Sequence, residues 1–401
     1  MKKSWPIKKL GEVCSIIGGG TPSKANLNYY GGDIYWATIR DMKGEVISST
    51  EHLITDLAVK QSSTNVLTKG NIIIATRVGL GKVCILGVDS AINQDLKGVT
   101  PKNPKALSIM FLYYWFKTVS SRIVKAGTGA TVQGVTLPFI NSLEIPIPQL
   151  AEQENIVAIL DEAFAAIDQA KENLKKNIQN AKDLFQSELN AVFSQKGPEW
   201  TENTVGKYCK TGSGGTPLKA NKNYYVNGSI PWLLSGEISQ GDILNAKGFI
   251  TELGLKNSSA KLFPPNTVLV AMYGATAGQM GILRFDACTN QAVCGILPNS
   301  EFLPEFLFYN LLFKKKSLLS LATGNAQPNI SQIKIKDTNI FKPPIDIQKK
   351  VVLRLDNILK ESKDFQLKSI AKIEKLNSLR KSILNKAFSG ELTASQVKTA
   401  P

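Results

Sequence analysis

The sequence predicts an α+β fold made twice: two tandem-repeated α+β domains separated by a long antiparallel two-helix coiled coil, with a pseudo-twofold relation between the halves. Three observations predict it. An internal repeat spans the chain, composition changes abruptly inside each repeat, and the Gly- and Pro-poor segment of each repeat carries an apolar stripe of helical period.

The repeat comes first because it decides the architecture. Gly19-Gly20-Thr21-Pro22, Lys24-Ala25-Asn26 and Asn28-Tyr29-Tyr30 recur as Gly214-Gly215-Thr216-Pro217, Lys219-Ala220-Asn221 and Asn223-Tyr224-Tyr225, an offset of 195 residues. The same offset pairs Trp5 with Trp200, Cys14 with Cys209, Thr128-Gly129 with Thr323-Gly324, Pro148 with Pro343, Gln153 with Gln348 and Phe193-Ser194 with Phe388-Ser389. Slips of one or two residues, as between Asn93-Gln94 and Asn290-Gln291, are insertions of the kind that loops tolerate.

The first part of each repeat is rich in Gly, Pro, aromatic and β-branched residues, with strand-like runs at Asn71 to Ala75 and Thr267 to Ala271, and reads as mixed α+β. After Ile145-Pro146-Ile147-Pro148 and Phe341-Lys342-Pro343-Pro344 the chain loses Gly and Pro for some forty residues and reads as a long helix. The predicted divisions are a first domain over 1–148, a helix over 149–195, a second domain over 196–344, a helix over 345–390 and a tail over 391–401.

Apolar residues of the first helix fall at Ile156, Leu160, Ala163, Ile167, Ala170, Leu174, Ala181 and Leu184, the alternating steps of a coiled-coil seam. The second carries Val351, Leu355, Ile358, Phe365, Leu376, Leu379 and Ile383, with Ser362, Ser369 and Lys372 as polar interruptions. About 40 residues span ~60 Å, more than a small domain is wide, so the stripes are expected to cover each other. Chain order then makes the pair antiparallel.

Lys and Arg outnumber Asp and Glu by 48 to 32, a net charge of +16, which points to a polyanionic partner. No apolar run reaches the ~20 residues of a membrane helix, and Met1-Lys2-Lys3 leads straight to Trp5-Pro6 rather than to an apolar signal core. The chain is therefore expected in the cytoplasm, away from membranes. Its five cysteines, Cys14, Cys84, Cys209, Cys288 and Cys294, form no CxxC pair and suit reduced thiols, and with His52 as the single histidine a zinc site is not expected.

Like domains related by a twofold match duplex DNA, whose dimeric readers bind half-sites about 34 Å apart. A single chain would here supply both readers, the helices setting the gap. The expected target is bipartite with an unread centre, and asymmetric, because the domains differ where loops should lie, as in Ala37 to Glu45 against Leu233 to Asp242.

Over nearly its full length the sequence resembles the specificity subunits of type I restriction-modification systems. The motifs are Gly20-Thr21-Pro22, Tyr29-Tyr30 and Ile34-Tyr35-Trp36, repeated as Gly215-Thr216-Pro217, Tyr224-Tyr225 and Ile230-Pro231-Trp232. Each repeat then closes on Thr128-Gly129 or Thr323-Gly324 and a Pro-rich stretch before its helix. The helix starts at Glu152-Gln153 with Ile156-Val157 in the first repeat; the second departs, with Ile347 before Gln348 and Val351-Val352, so its helix cap is in question.

The resemblance implies two target-recognition domains and no chemistry in this subunit, hence no cofactor of its own. Two modification subunits would dock on the helical bundle and use S-adenosylmethionine to methylate adenine. Restriction subunits would add translocation and cleavage driven by ATP with magnesium.

The residues agree with an absence of catalysis. Phe263-Pro264-Pro265-Asn266 has the residues of an adenine methyltransferase motif in the wrong order. Gly79-Leu80-Gly81-Lys82 lacks both the earlier glycine spacing and the Ser/Thr of a P-loop, and reads as a tight turn.

For DNA contact, the openings Gly18 to Lys24 and Ser213 to Lys219 either present backbone N–H groups with Lys24 and Lys219 to phosphate or are plain turns. Tyr29, Tyr30, Tyr224 and Tyr225 either bond phosphate or pack in the core. Base readout is expected where the repeats differ: Thr38, Arg40, Asp41, Lys43, Arg77, Thr131 and Gln133 in the first domain, and Ser235, Glu237, Gln240, Tyr273, Thr276, Gln279, Asn325 and Gln327 in the second. Two rivals remain at this level, the recognition part of a combined type II restriction-methylation enzyme and a non-catalytic coiled-coil protein adaptor.

Overall fold

A computed structural model describes residues 5–129, 134–238, 241–320 and 329–394. The chain divides into two compact units, Met1–Leu174 with Ile370–Pro401, and Lys175–Ser369.

In the first unit the run Ile72–Ala75 is a central strand with all four residues buried, as a β-branched segment covered on both faces should be. It pairs antiparallel with Leu96–Pro101 on one side and Val83–Leu86 on the other; Cys14–Gly18 and Val46–Ile47 complete the sheet. Side chains alternate between two layers. Ile72 and Ile74 meet the helix Ile109–Lys125, while Ile73 and Ala75 meet a second sheet of His52–Ile54, Tyr30–Ala37, Ser90–Ile92 and Val66–Leu67.

The second unit repeats this order. Val268 and Val270 face the helix Pro304–Ser320, and Leu269 and Ala271 face a sheet of Gly248–Ile250, Ile230–Leu233, Ala287–Thr289 and Leu262–Phe263. The turn at Gly79-Leu80-Gly81 joins adjacent strands as expected, with left-handed φ of +73° and +81° at its two glycines.

The two long helices run Leu150–Ser194 and Ile345–Phe388. A buried glutamine ties the start of each to its domain. Gln153 Nε2 donates to the Ala106 and Pro148 carbonyls (both 2.8 Å) and its Oε1 accepts from Ser108 N at 2.9 Å. Gln348 makes the same three bonds, to Glu301, Pro343 and Leu303, so Ile347 leaves this clamp intact in the second repeat. Further along, Tyr114 and Tyr309 donate to Asp161 and Asp356 from the domain helix to the long helix.

Within the second unit Ser362 donates to the Ala181 carbonyl and Arg354 pairs with Glu188. One helix therefore ascends as the other descends, the antiparallel pairing that was expected. Phe185, Leu189, Phe193, Val351 and Leu355 are buried there, with Ile358 packed against them. In the first unit Ile156, Leu160, Phe164, Ile167, Leu384 and Ala387 are buried together, with Leu376 and Ile383 partly so, and Leu174 is half-buried.

Three expected seam residues point outward instead. Leu184, Phe365 and Leu379 are 62%, 42% and 47% exposed, and in each case the next residue, Phe185, Gln366 or Arg380, turns inward. Ser362 and Ser369, expected as interruptions, are buried at 7% and 3% exposure.

The reason is the period. The inward rows Ile156, Ile167, Ile178, Leu189 and Val351, Ser362, Ile373, Leu384 advance by eleven residues, about 3.67 per turn, whereas heptad counting assumes 3.5 and drifts by ~20° per heptad on a straight helix. It follows that Leu184→Lys should change unfolding free energy by no more than about 0.5 kcal/mol, while Phe185→Ala should lose about 3–5 kcal/mol. Urea denaturation of both variants reads the difference, and equal costs would restore the heptad register.

Candidate nucleic-acid interface

In each unit a pair of parallel strands ends at the same edge. Tyr30–Ala37 and Ser90–Ile92 finish with Ala37 opposite Ile92; Ile230–Leu233 and Ala287–Thr289 finish with Leu233 opposite Thr289. Parallel strands deliver their following loops to one side, and those loops form the candidate interface.

In the first unit Asn93 N donates to Ala37 O at 3.0 Å and Gly20 N to Ile92 O at 2.9 Å, which brings the Gly-Gly-Thr-Pro opening onto the Asn93-Gln94-Asp95 turn. Thr21 Oγ1 donates to Gln94 Oε1, and Trp36 Nε1 donates to Gly20 O at 3.2 Å from below. The turn 76–82 joins through Thr76 N to Asp95 O (2.9 Å), and Val135 N to Thr76 O (2.9 Å) adds the segment after the Thr128–Gly134 bridge. Lys82 Nζ to Met42 O at 3.4 Å ties this turn to the loop 38–43.

The second unit has equivalent bonds. Asn290 N reaches Leu233 O (2.9 Å), Gly215 N reaches Thr289 O (2.8 Å), Met272 N reaches Ala292 O (2.7 Å) and Ile330 N reaches Met272 O (2.8 Å). Thr216 Oγ1 donates to Gln291 Oε1 and Trp232 Nε1 to Gly215 O at 3.0 Å.

This geometry sorts the expected contacts. Tyr30 and Tyr225 belong to the framework: their hydroxyls donate to the Pro22 and Pro217 carbonyls at 2.7 and 2.5 Å, and their rings meet Trp36 and Trp232 edge-on. Tyr29 is half-buried with its hydroxyl on Gln61 Oε1 at 3.0 Å, and Tyr224 is half-buried at the matching position. In the glycine-rich openings Gly20, Gly214 and Gly215 spend their N–H groups internally, as in a tight turn, so those three amides are not presented to phosphate. Lys24 and Lys219 stand exposed beside them.

Glu237 staples its own loop, accepting from Leu234 N and Lys247 N (both 2.8 Å), as Asp41 accepts from Thr38 N (2.7 Å) and Glu51 N (2.8 Å) in the first unit. Thr38 Oγ1 also donates to Asp41 at 2.9 Å, and Ser235 is half-buried within the second loop. Thr276 Oγ1 donates to Tyr273 O at 3.2 Å, and Gln279 is half-buried at the end of that turn.

The side chains left facing solvent are Arg40, 3.8 Å from Glu51; Lys43; Arg77, 3.5 Å from Asp95; and Tyr273. Lys97 lies beside the first turn with Nζ 3.0 Å from Gln94 O, and partial burial lowers its pKa, partly offset by Asp95. Thr131, Gln133, Gln240, Thr323-Gly324, Asn325 and Gln327 lie outside the described residues. Sequence reasoning passed over Gln94 and Gln291. They entered only as a matched pair of the repeat, and both are exposed at the centre of these turns.

The described residues gather no group of His, Cys, Asp or Glu fit to hold a metal, and no helix among them is long and apolar enough to cross a membrane. Burial pushes the thiols of Cys14 and Cys294 up to about 12 and those of Cys209 and Cys288 up to about 11. The thiolate is the reactive form, so the native chain at pH 8 should take up iodoacetamide at least tenfold more slowly than the urea-unfolded chain. Mass spectrometry reads this directly, and rapid native labelling would contradict the buried placements.

Two equivalent frameworks, each carrying different loops on the same strand ends, define a duplicated recognition protein whose modules are joined by long helices. The chain belongs to the type I restriction modification DNA specificity domain family, whose model matches residues 2–180 and 198–375. Its function is DNA specificity in a type I restriction-modification system, where it works with DNA and with the system's other subunits.

The chain is 26% identical over 428 residues to the type I restriction enzyme MjaIX specificity subunit of Methanocaldococcus jannaschii, covering 98% of this chain and 95% of that protein. It is 32% identical over 203 residues to the EcoR124I/EcoR124II specificity subunit of Escherichia coli, covering 49% of this chain and 50% of that one. In fold it is similar to a chain from a structure of type I R-M complex assembly and conformational transition (TM-score 0.79, 19% identity, 97% and 98% covered). It is also similar to the HsdS subunit of Thermoanaerobacter tengcongensis (TM-score 0.61, 19% identity, 97% of each covered). Neither the combined type II enzyme nor the adaptor gains support from these likenesses.

Proposed function

We propose that this specificity subunit reads an asymmetric, bipartite duplex target through the strand-end loops of its two recognition domains, without a catalytic group or cofactor of its own. The observation that carries this reading is the contrast between a framework repeated bond for bond and the loops mounted on it, such as Thr38–Lys43 against Leu234–Gly241. Shared framework fixes the approach to DNA; differing loops read different bases.

Two modification subunits dock on the long helices and bring S-adenosylmethionine; restriction subunits bring ATP-driven translocation and magnesium-dependent cleavage, all in the cytoplasm. Large apolar side chains left exposed on these helices, Leu184, Leu353, Phe365 and Leu367 in the second unit and Ile370 and Leu379 in the first, support docking there.

Methylome sequencing of a host expressing this subunit with its modification partner tests the reading. Two unlike half-sites separated by unread bases are expected. Arg40→Ala and Arg77→Ala should each relax the first half-site alone, by about 1–3 kcal/mol of discrimination if the arginine reads a guanine. A continuous or palindromic motif, or one that neither substitution alters, would defeat the proposal.

A further inference from the structure

We infer that Gln94 and Gln291, each locked by a threonine of the Gly-Thr-Pro opening, are matched DNA-backbone anchors that set the register of both recognition domains on the duplex without reading bases. The inference rests on the interface proposed above.

An exposed glutamine is ordinarily free to rotate, and fixing it costs rotamer entropy. Here Thr21 and Thr216 occupy the Oε1 acceptor of Gln94 and Gln291. The amide –NH2 beside it is thereby held in place with two hydrogens to donate. A donor at a fixed position suits a phosphate oxygen, and phosphate contacts are what position a protein on DNA.

The turn behind each amide is braced from several directions. Asn93 N and Asn290 N are bonded to the ends of the neighbouring parallel strands, and Gly20 N and Gly215 N bond carbonyls next to the turn. The opening loop sits so close that a Cβ on Gly19 would lie 2.2 Å from the Ile92 and Asn93 carbonyl oxygens. Only a chain without a side chain there brings the threonine onto the glutamine.

Identity of the two pairs then separates backbone contact from base contact. The loops around them diverge, so a base-reading glutamine would force one base to recur at equivalent places in half-sites that otherwise differ. A phosphate anchor carries no such constraint. The surroundings do differ in charge: Arg77 and Lys97 flank the first turn, where Tyr273 and Cys294 stand in the second. The first half should therefore supply more of the salt dependence.

The test uses the full-length subunit in complex with its modification partner, on a duplex carrying the methylome-derived target and on an unrelated duplex of equal length. Gln94→Ala and Gln291→Ala should each weaken binding to both duplexes by about tenfold. The slope of affinity against salt should stay unchanged, since no charge is lost. Gln94→Glu should weaken binding further. Binding within twofold of the parent for both alanine variants overturns the inference, and so does a loss confined to the specific duplex with altered preference at one base pair. The interface reading fails separately, if Arg40→Ala, Arg77→Ala and both glutamine variants all bind and methylate as the parent does.

Discussion

Gly19→Ala and Gly214→Ala are each expected to abolish recognition by one half of the protein while leaving the other half folded. A Cβ on Gly214 would lie 2.1 Å from Thr289 Oγ1, 2.3 Å from Thr289 O and 2.4 Å from Asn290 O; on Gly19 the nearest atoms are two backbone carbonyl oxygens at 2.2 Å. Real Cβ atoms do not approach so closely, and a backbone carbonyl held in a sheet cannot swing aside as a lysine tip can. Relief requires the opening loop to lift, which breaks Gly20 N to Ile92 O or Gly215 N to Thr289 O and carries Thr21 or Thr216 away from its glutamine.

Overpacking of this kind costs about 1–3 kcal/mol and more where only backbone can yield. Gly197→Ala is the control, because it lies outside the opening and divergent loops and a Cβ there meets nothing nearer than Trp200 Cδ1 at 3.5 Å. The expected result is a loss of specific affinity of at least tenfold for Gly19→Ala and Gly214→Ala, with amide exchange rising only around the altered turn, and near-parent behaviour for the control. Parent affinity in Gly19→Ala would mean the opening loop has no part in presenting the interface.

The duplication and its two long helices were legible because they are written in identity and period, which survive without knowledge of any contact. Orientation within those elements was not. A heptad template placed Leu184, Phe365 and Leu379 one residue off the inward row, since the error accumulates along a helix of this length. Among the site residues, Tyr30 and Tyr225 look in sequence like any exposed aromatic near a basic loop; the Pro22 and Pro217 carbonyls that bind their hydroxyls come from eight residues away across a turn.

Glu237 shows the same difficulty from the other side. Its divergence from the first repeat suggested readout, yet with Asp41 it does one structural task using carboxylates of different length. Gln94 and Gln291 were passed over because readout was sought only where the repeats differ. A contact to the DNA backbone is the case in which a binding residue has reason to be shared.

Gln153→Ala and Gln348→Ala should be among the most destabilising polar substitutions in the chain, each by about 3 kcal/mol or more. The side chain is fully buried and all three of its bonds end on backbone groups, so truncation strands one N–H and two carbonyls away from water, at about 1–3 kcal/mol for each group left unsatisfied. The effect is local in origin but long in reach, because this amide fastens the first turn of a long helix to the segment that enters its domain's own helix.

Gln153→Glu sharpens the test. A carboxylate in place of the amide would face the Ala106 and Pro148 carbonyls with no hydrogen to donate, so the folded state holds the acid protonated and its pKa rises above the ~4.3 of the unfolded chain. Stability linked to a raised carboxyl pKa is retained below pH ~4.3 and falls as pH climbs toward the folded value. The Glu variant should therefore approach the parent at pH 4 and fall furthest below it at pH 7, as judged by urea midpoints at the two pH values. A difference from the parent that does not change with pH would show that the residue at 153 is reached by water, and that the helix is held to its domain by apolar packing alone.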